Sequence, residues 1–275
     1  MIIMQIIASS FMFWKEKFSE QHLVYLKNAG FSGFEMFCYR NYLDWKNRTE
    51  MDKLLHAMRV NQFTISSMHA PWTKGVENEW YDIASLDHRI REKALKEIFE
   101  AVEIFKKAGA KFLVVHPGMD KFKSTTKNQY MENAVHSLKL ISLFAHELGI
   151  QVLIENPPPP EIGSSVDEIK EIFKGLRDYK PGFCFDIGHA NITNEGIDAF
   201  LTSGLFPSEL HISDNHGQKD EHLLPGEGSI DWGSFFTKVK HRFGERVSEI
   251  KFNFELGRFP GTAVLIKLRE KFSIF

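Results

Sequence analysis

The chain has 275 residues, of which 43% are hydrophobic and 25% are charged, and its 34 basic and 36 acidic residues give a formal net charge of −2. This composition is typical of a globular protein with a substantial core, and the near-neutral charge excludes a chain-wide basic field for nucleic acid or an anionic membrane. The first ten residues, MIIMQIIASS, lack the basic start of a signal peptide, and Cys38 and Cys184 form no disulfide or zinc-finger pattern, so we expect a reduced, cytoplasmic protein without a membrane span.

Eight short apolar runs alternate with longer amphipathic segments along the chain. The runs predict strands at residues 2–9, 33–38, 63–70, 111–117, 151–157, 182–188, 209–214 and 250–256. The segments between them carry apolar residues at spacings of three and four and end near glycine, which predicts helices. Eight such units in this length predict an α/β fold, a (β/α)8 TIM barrel. An open doubly wound sheet is less favoured because no glycine-rich nucleotide turn is present.

No linker, repeat or run of charge divides the chain, and we expect residues 1–275 to form one domain. The only biased segment is the run of four prolines at 157–160, directly after the fifth predicted strand. Consecutive prolines form a stiff, extended segment. We therefore expect this run to form part of a loop wall.

The alternation of side chains along the predicted strands indicates which polar residues point into the barrel. In residues 250–256 the apolar side chains share one face and Glu255 lies on the other, and His211 and Glu155 follow the same pattern in their strands. Strand ends form the catalytic rim of such a barrel. The polar residues gathered at this rim are His69, His116, Glu155, Asp186, His189, His211 and Glu255.

A single histidine or glutamate at a strand end is more often a hydrogen-bonded structural group than a ligand. The cluster changes this interpretation, because several carboxylates in one cavity repel one another unless a cation neutralises them. Carboxylates combined with imidazoles, without thiolate, suit Zn²⁺, Mn²⁺, Fe²⁺ or Co²⁺ better than Mg²⁺. We therefore predict a divalent-metal cofactor of one to three ions, with Zn, Mn or Co as the metal.

The segment after the seventh predicted strand adds two candidate ligands. Asp220 and His222 are one residue apart, so in an extended loop both side chains leave on the same side and reach one ion. Asp231 is predicted to cap the following helix. Asp214 and His216 are weaker candidates, interpreted either as partners that orient His211 or as solvated loop residues.

The order of these motifs resembles that of the xylose-isomerase-like barrel superfamily. This superfamily holds sugar and sugar-phosphate isomerases and epimerases together with the endonuclease-four family of apurinic-site nucleases. The similarity runs nearly end to end, through GFSGFEMF, HAPW, IASLDHRIREKA, VVHPG, LIENPP, FDIGHA, HISDNHG, DEHLLPGEGSIDW and FELG. Each motif is weak by itself, but their order is specific.

The isomerase and epimerase branch implies one divalent metal and a pair of proton-transferring carboxylates. The matching metal ligands are Glu155, Asp186, His211 and Glu255. The same branch implies that Glu155 and Glu255 are catalytic and lie on opposite faces of the sugar. His189 is then a substrate contact, and with a single ion His69 and His116 join it as substrate-binding residues.

The nuclease branch implies three zinc ions held by nine ligands, and all nine matching residues are present. They are His69, His116, Glu155, Asp186, His189, His211, Asp220, His222 and Glu255. The neutral charge and the absence of an obvious basic loop count against DNA, since the segments after the first two strands are mixed in charge and rich in aromatic residues.

The sequence therefore favours a metal-dependent isomerase or epimerase that acts on a small-molecule sugar or sugar phosphate through an enediolate. The residues do not choose between isomerisation and epimerisation, nor do they indicate an oligomeric state. An apurinic-site nuclease with a nucleic-acid partner is the alternative. A non-catalytic metal- or sugar-binding barrel is a third interpretation.

Overall fold

A closed barrel of eight parallel strands forms the centre of the structure, a computed structural model that describes residues 5–31, 33–72, 80–119 and 126–273. Each strand pairs with the next, and β8 pairs with β1. The strands are β1 (Gln5–Ser9), β2 (Gly33–Phe37), β3 (Thr64–His69), β4 (Phe112–Val115), β5 (Gln151–Glu155), β6 (Gly182–Asp186), β7 (Pro207–Ile212) and β8 (Lys251–Phe254). The predicted TIM barrel is confirmed, and only β7 begins before its predicted run. Residues 2–4 of the first run lie outside the described residues.

Helices surround the barrel in the described part of the chain. They are α1 (Glu20–Asn28), α2 (Arg48–Asn61), α3 (His88–Lys107), α4 (Lys127–Glu147), α5 (Val166–Gly175), α6 (Ile187–Asn191), α7 (Gly196–Thr202), α8 (Trp232–Phe243) and α9 (Thr262–Ser273). The helix α3 illustrates how they form, because Asp87 caps its first turn and the buried Ile98, Val102 and Phe105 recur at helical spacing. None of the described helices is long and apolar enough to cross a membrane.

The alternation predicted for the strands separates two apolar regions. Outward-facing residues such as Phe252 and Phe254 belong to the main core between strands and helices. Inside the barrel, Val114, Leu153 and the free thiol of Cys184 form a small separate cluster. Because this inner cluster is small, polar side chains occupy much of the remaining interior, and they lie above it toward the carboxyl ends of the strands.

The loop between β7 and α8 is organised by one buried carboxylate. Asp214 accepts hydrogen bonds from the backbone N–H of Gly226 at 2.7 Å, the backbone N–H of Ile230 at 3.2 Å and the indole N–H of Trp232 at 2.9 Å. Asp214 is therefore neither a solvated loop residue nor a contact of His211. Asp231 accepts the N–H of Ser234 at 3.0 Å, which confirms it as the cap of α8.

Replacing Asp214 with alanine is expected to lower the free energy of unfolding by about 2 to 4 kcal/mol, because four donors, including the backbone N–H of Asn215, lose a charged acceptor. The exposed cap offers a matched control, since Asp231→Ala removes one helix-capping bond and is expected to cost about 1 kcal/mol. Urea unfolding followed by circular dichroism measures both values. Equal losses in the two variants would contradict the anchoring role of Asp214.

Candidate metal centre

All the strand-end residues predicted from sequence lie at one edge of the barrel. His69, Glu155 and Asp186 are the last residues of β3, β5 and β6, and His116 and Glu255 directly follow β4 and β8. Carboxyl ends of parallel strands meet at the same mouth of the barrel, so the fold itself brings these side chains together.

Four of these residues form a central cluster. Nδ1 of His211 lies 3.2 Å from Oε1 of Glu155, 3.8 Å from Oδ2 of Asp186 and 2.5 Å from Oε2 of Glu255. The four ligand atoms lie within 4.8 Å of one another, and all four residues are buried. Tetrahedral ligands of zinc lie about 3.4 Å apart at normal bond lengths. The three distances from Nδ1 of His211 lie on both sides of this value.

A second cluster shares Glu155 with the first. Its Oε2 atom lies 3.2 Å from Nε2 of His69 and 3.3 Å from Nε2 of His116. The two oxygens of one carboxylate thus face two groups of donors. This is the arrangement of a carboxylate that bridges two metal ions.

The third cluster joins α6, which carries His189, to the β7–α8 loop. Oδ2 of Asp220 lies 3.3 Å from Nε2 of His189 and 2.8 Å from Nε2 of His222. His222 has a positive φ of 46°, and its carbonyl accepts the N–H of Gly257 at 2.8 Å. The nine predicted ligands therefore fall into three clusters. His216 belongs to none of them, because it is exposed and contacts Glu221.

Four of the five histidines have a ring orientation fixed by a partner outside their cluster. Nδ1 of His69, His189 and His222 lies near backbone carbonyl oxygens, which accept a hydrogen bond from Nδ1–H and so leave Nε2 free for a metal. These carbonyls belong to Ala70 at 3.0 Å, Asn156 at 2.9 Å and Glu255 at 3.0 Å. Nδ1 of His116 lies 3.4 Å from Oε2 of Glu161. His211 is reversed, because its Nδ1 faces the central cluster.

A cavity of about 230 Å³ opens onto the three clusters. Its lining includes a contiguous aromatic group, with ring centroids 4.7 Å apart for Phe11 and Phe37 and 6.3 Å apart for Phe37 and Trp72, and polar residues such as His189 and Glu255. No lysine or arginine of the described chain lines it. Such a volume lies below the roughly 300 to 1,000 Å³ of pockets for drug-sized ligands, which suits a single sugar ring.

The two aromatic-rich segments that follow β1 and β2 differ in where their aromatic side chains lie. Phe11, from the segment after β1, reaches the cavity, whereas Tyr42 and Trp45, from the segment after β2, are buried in the core. Pro158 from the proline run lines the cavity, as expected for a loop wall.

Two buried carboxylates near the site are absent from the predicted set. Glu35 in β2 and Glu209 in β7 lie on the far side of His211, below the central cluster. Both occupy inward positions in the middle of a strand, and the strand alternation is the signal that points to them.

Comparison with known proteins identifies the family. A family model described as a xylose isomerase-like TIM barrel matches residues 23–245. The chain belongs to this family. All nine candidate metal ligands except Glu255 lie within the matched residues.

Among curated relatives, an uncharacterized protein of Methanocaldococcus jannaschii, MJ1614, is 31% identical over 174 residues. The aligned residues cover 63% of this chain and 65% of MJ1614, so the match spans just under two-thirds of that relative's length. A probable endonuclease 4 of Aquifex aeolicus is 26% identical over 72% of this chain and 74% of its own.

Two solved structures show the same fold. A D-tagatose 3-epimerase-like protein superposes with a TM-score of 0.81 at 23% identity, covering 98% of this chain and 97% of its own. The IOLI protein, solved with a bound zinc atom, superposes with a TM-score of 0.77 at 17% identity, covering 98% of this chain and 97% of its own. Epimerases and endonucleases are thus both represented among the relatives of this xylose isomerase-like barrel.

The donors of the three clusters fit divalent metal ions. Buried side-chain atoms without a hydrogen bond in the described structure include both oxygens of Glu155, Oδ2 of Asp186, Oε2 of Glu255 and both ring nitrogens of His211. Buried polar atoms without partners are costly, and inward-facing acceptors indicate a cation. Five imidazoles and four carboxylates suit zinc, manganese or cobalt.

Without metal, protons take the place of the cations. Burial alone would lower the pKa of His116, but Glu155 and Glu161 raise it to about 10. Burial likewise opposes the charge on His222, yet Asp220 raises its pKa to about 9. Burial and the neighbouring Glu155 and Glu255 raise the pKa of Asp186 to about 6. The metal-free site therefore holds protonated imidazoles at pH 7.

Zinc binding at pH 7 is expected to release at least two protons, because His116 and His222 must become neutral to bind metal. Both pKa values are raised above the unfolded value near 6.5, so the proton-linked stability of the metal-free protein is complete below about pH 6.5. It is lost as the pH rises through about 9 to 10, and zinc affinity increases over the same range. Calorimetry in buffers of different ionisation enthalpy counts the protons. His222→Ala should reduce the count, whereas His216→Ala, outside the clusters, should not.

Proposed function

We propose that the chain is a multi-metal phosphodiester hydrolase with an activity of the endonuclease 4 type. The observation that carries this proposal is Glu155, whose Oε1 faces the central cluster and whose Oε2 faces His69 and His116. A bridging carboxylate is typical of sites with two metal ions about 3.5 to 4 Å apart, which bind the attacking and leaving oxygens of phosphate esters.

The charge of the site supports an anionic substrate. Three divalent ions bring six positive charges, and the four carboxylates Glu155, Asp186, Asp220 and Glu255 bring four negative ones. The remaining two positive charges balance one phosphodiester and one hydroxide. Bound ions of this kind supply a nucleophile at neutral pH and neutralise the charge that develops on phosphate oxygens.

The side chains around the cavity bind and orient the substrate. Phe37 and Trp72 offer an apolar wall to the face of a sugar ring. The small volume accepts one pentose better than a pentose that carries a base. Glu161 positions His116, whose Nδ1 it contacts. A base-free nucleotide with its phosphate over the clusters is therefore the proposed substrate.

The sequence favours an isomerase or epimerase, but the surroundings of Glu155 support the hydrolase proposed here. Proton transfer by Glu155 and Glu255 requires both carboxylates to reach the same sugar carbon. Glu255 lines the cavity, whereas Glu155 is fully buried and its Oε2 lies against His69 and His116. Because Oε2 of Glu155 contacts two histidines, a role as metal ligand is favoured over a role in proton transfer.

An epimerase remains the second candidate because of one observation. The cavity is small and no described lysine or arginine lines it, which suits a neutral monosaccharide. A single ion in the central cluster would be held by Glu155, Asp186, His211 and Glu255, and it would polarise the carbonyl of a bound sugar. Glu155 and Glu255 would then be the proton-transferring pair that the sequence predicts.

The number of bound metal ions distinguishes the two candidates. Dialysis against excess zinc followed by elemental analysis is expected to give three ions per chain. Glu155→Gln is expected to lose close to two of the three ions, because the central cluster and the second cluster each lose a charged oxygen. Asp186→Asn is expected to lose close to one ion, because only the central cluster contains Asp186. Glu227→Gln changes an exposed residue paired with Arg258 and serves as control. A single ion in the wild-type chain would favour the epimerase.

Two activity assays on the same preparation test the proposal directly. The zinc-loaded protein is expected to cut a duplex oligonucleotide at an abasic site, and Glu155→Gln to slow this cleavage on the order of 100-fold or more. The manganese- or cobalt-loaded protein is then incubated in D₂O with ketoses and ketose phosphates, and proton NMR follows exchange next to the carbonyl. If the wild type exchanges this hydrogen, Glu255→Gln suppresses the exchange and the wild type does not cleave the oligonucleotide, the epimerase proposal replaces the hydrolase proposal.

A further inference from the structure

Below the central cluster, His211 is held between two sets of carboxylates. Its Nδ1 faces Glu155, Asp186 and Glu255, while its Nε2 lies 3.3 Å from Oε2 of Glu35. We propose that Glu35 is a positioning residue that accepts the Nε2–H of His211 and thereby presents Nδ1 to the central metal ion. This inference rests on the metal centre of the proposed function, but not on the reaction that it catalyses.

Within the described structure, the carboxylate of Glu35 has no hydrogen-bond donor besides the nearby Nε2–H of His211. It is fully buried, and neither of its oxygens has a hydrogen bond there. A buried carboxylate without a donor is costly, so the imidazole N–H at 3.3 Å has a stabilising role. Charge-assisted bonds of this kind are stronger than bonds between neutral groups.

Glu209 is the other carboxylate near Nε2, and it is already engaged. Its Oε1 lies 3.7 Å from Nε2 and accepts hydrogen bonds from Ser67 at 3.0 Å and Asn253 at 2.9 Å. The distance is too long for a hydrogen bond. Glu35, at 3.3 Å, is therefore the nearer acceptor for Nε2–H of His211, and Glu209 belongs to a neighbouring network.

The position of Glu35 explains why it acts through His211 and not on a substrate. It lies in the middle of β2, in register with Ser9 of β1 and Ser67 of β3, and it does not line the cavity. Strand pairing on both sides fixes its backbone. His211 also differs from the other four histidines, whose Nδ1 atoms face carbonyl or carboxylate oxygens outside the clusters. A carboxylate in this role orients the ring and increases the basicity of the metal-binding nitrogen.

Metal affinity provides the first test. Zinc is titrated in competition with a chromophoric chelator into the wild type, Glu35→Gln and Glu209→Gln. Glu35→Gln is expected to weaken the central ion by about 10- to 100-fold and to leave the other ions unchanged. Glu209→Gln is the matched control, and its expected change is much smaller. An equal loss in both variants would overturn the specific role of Glu35.

Histidine NMR provides a readout that a merely structural role would not change. In the zinc-loaded, ¹⁵N-histidine-labelled wild type, one imidazole is expected to bind zinc through Nδ1 and to show a downfield Nε2–H proton. Glu35→Gln should shift this proton upfield, and Glu209→Gln should not. An unchanged signal in Glu35→Gln, with normal zinc binding, would overturn the inference and leave the metal centre intact.

Two further results distinguish a wrong role for Glu35 from a missing metal centre and from a variant that does not fold. If the wild type binds no zinc at the central cluster, the metal centre itself is wrong. If Glu35→Gln does not fold by circular dichroism, Glu35→Asp, which keeps the charge on a shorter side chain, carries the same test. Retention of the downfield proton in Glu35→Asp supports the proposal, and its loss with unchanged zinc affinity contradicts it.

Discussion

Burying several carboxylates side by side is the constraint on which the rest of the site depends. Glu155, Asp186 and Glu255 are almost fully withdrawn from solvent within a few ångströms of one another. Each charge lacks water, and each repels its neighbours, so positive charge must lie between them. Protonated histidines provide that charge in the metal-free protein, and divalent ions provide it more compactly. The pairing of each imidazole with a carboxylate follows from this requirement.

The barrel provides the rigidity that this arrangement needs. The strand ends are fixed by hydrogen bonds on both sides, and the outward faces pack into a continuous apolar core that includes Phe252 and Phe254. Glu155 can hold its two oxygens toward different clusters because its backbone cannot shift. The histidines are oriented by backbone carbonyls, which are equally fixed. Geometry at the rim is thus set by secondary structure more than by the loops.

Most of the fold and the positions of the site residues follow from the alternation of apolar and polar side chains. His69, Glu155 and Asp186 were identifiable because each ends a strand whose outward face is apolar. Glu35 was missed because it lies within a strand, where sequence alone does not distinguish a polar residue that contacts the site from one that only fills the barrel. The role of Asp214 depends on donors up to 18 residues away. Such contacts depend on how a loop folds, and periodicity contains no information about them.

The anchored loop after β7 makes one part of the centre separable from the rest. Asp220 and His222 come from this loop, whereas the donors of the two inner clusters come from strand ends or directly follow them. Asp214 orders the loop through its own contacts and does not touch the barrel ligands. Changes in this single segment can therefore alter the third cluster without displacing the donors of the other two. A barrel built in this way can diverge between mononuclear and multinuclear chemistry through alterations to one connection.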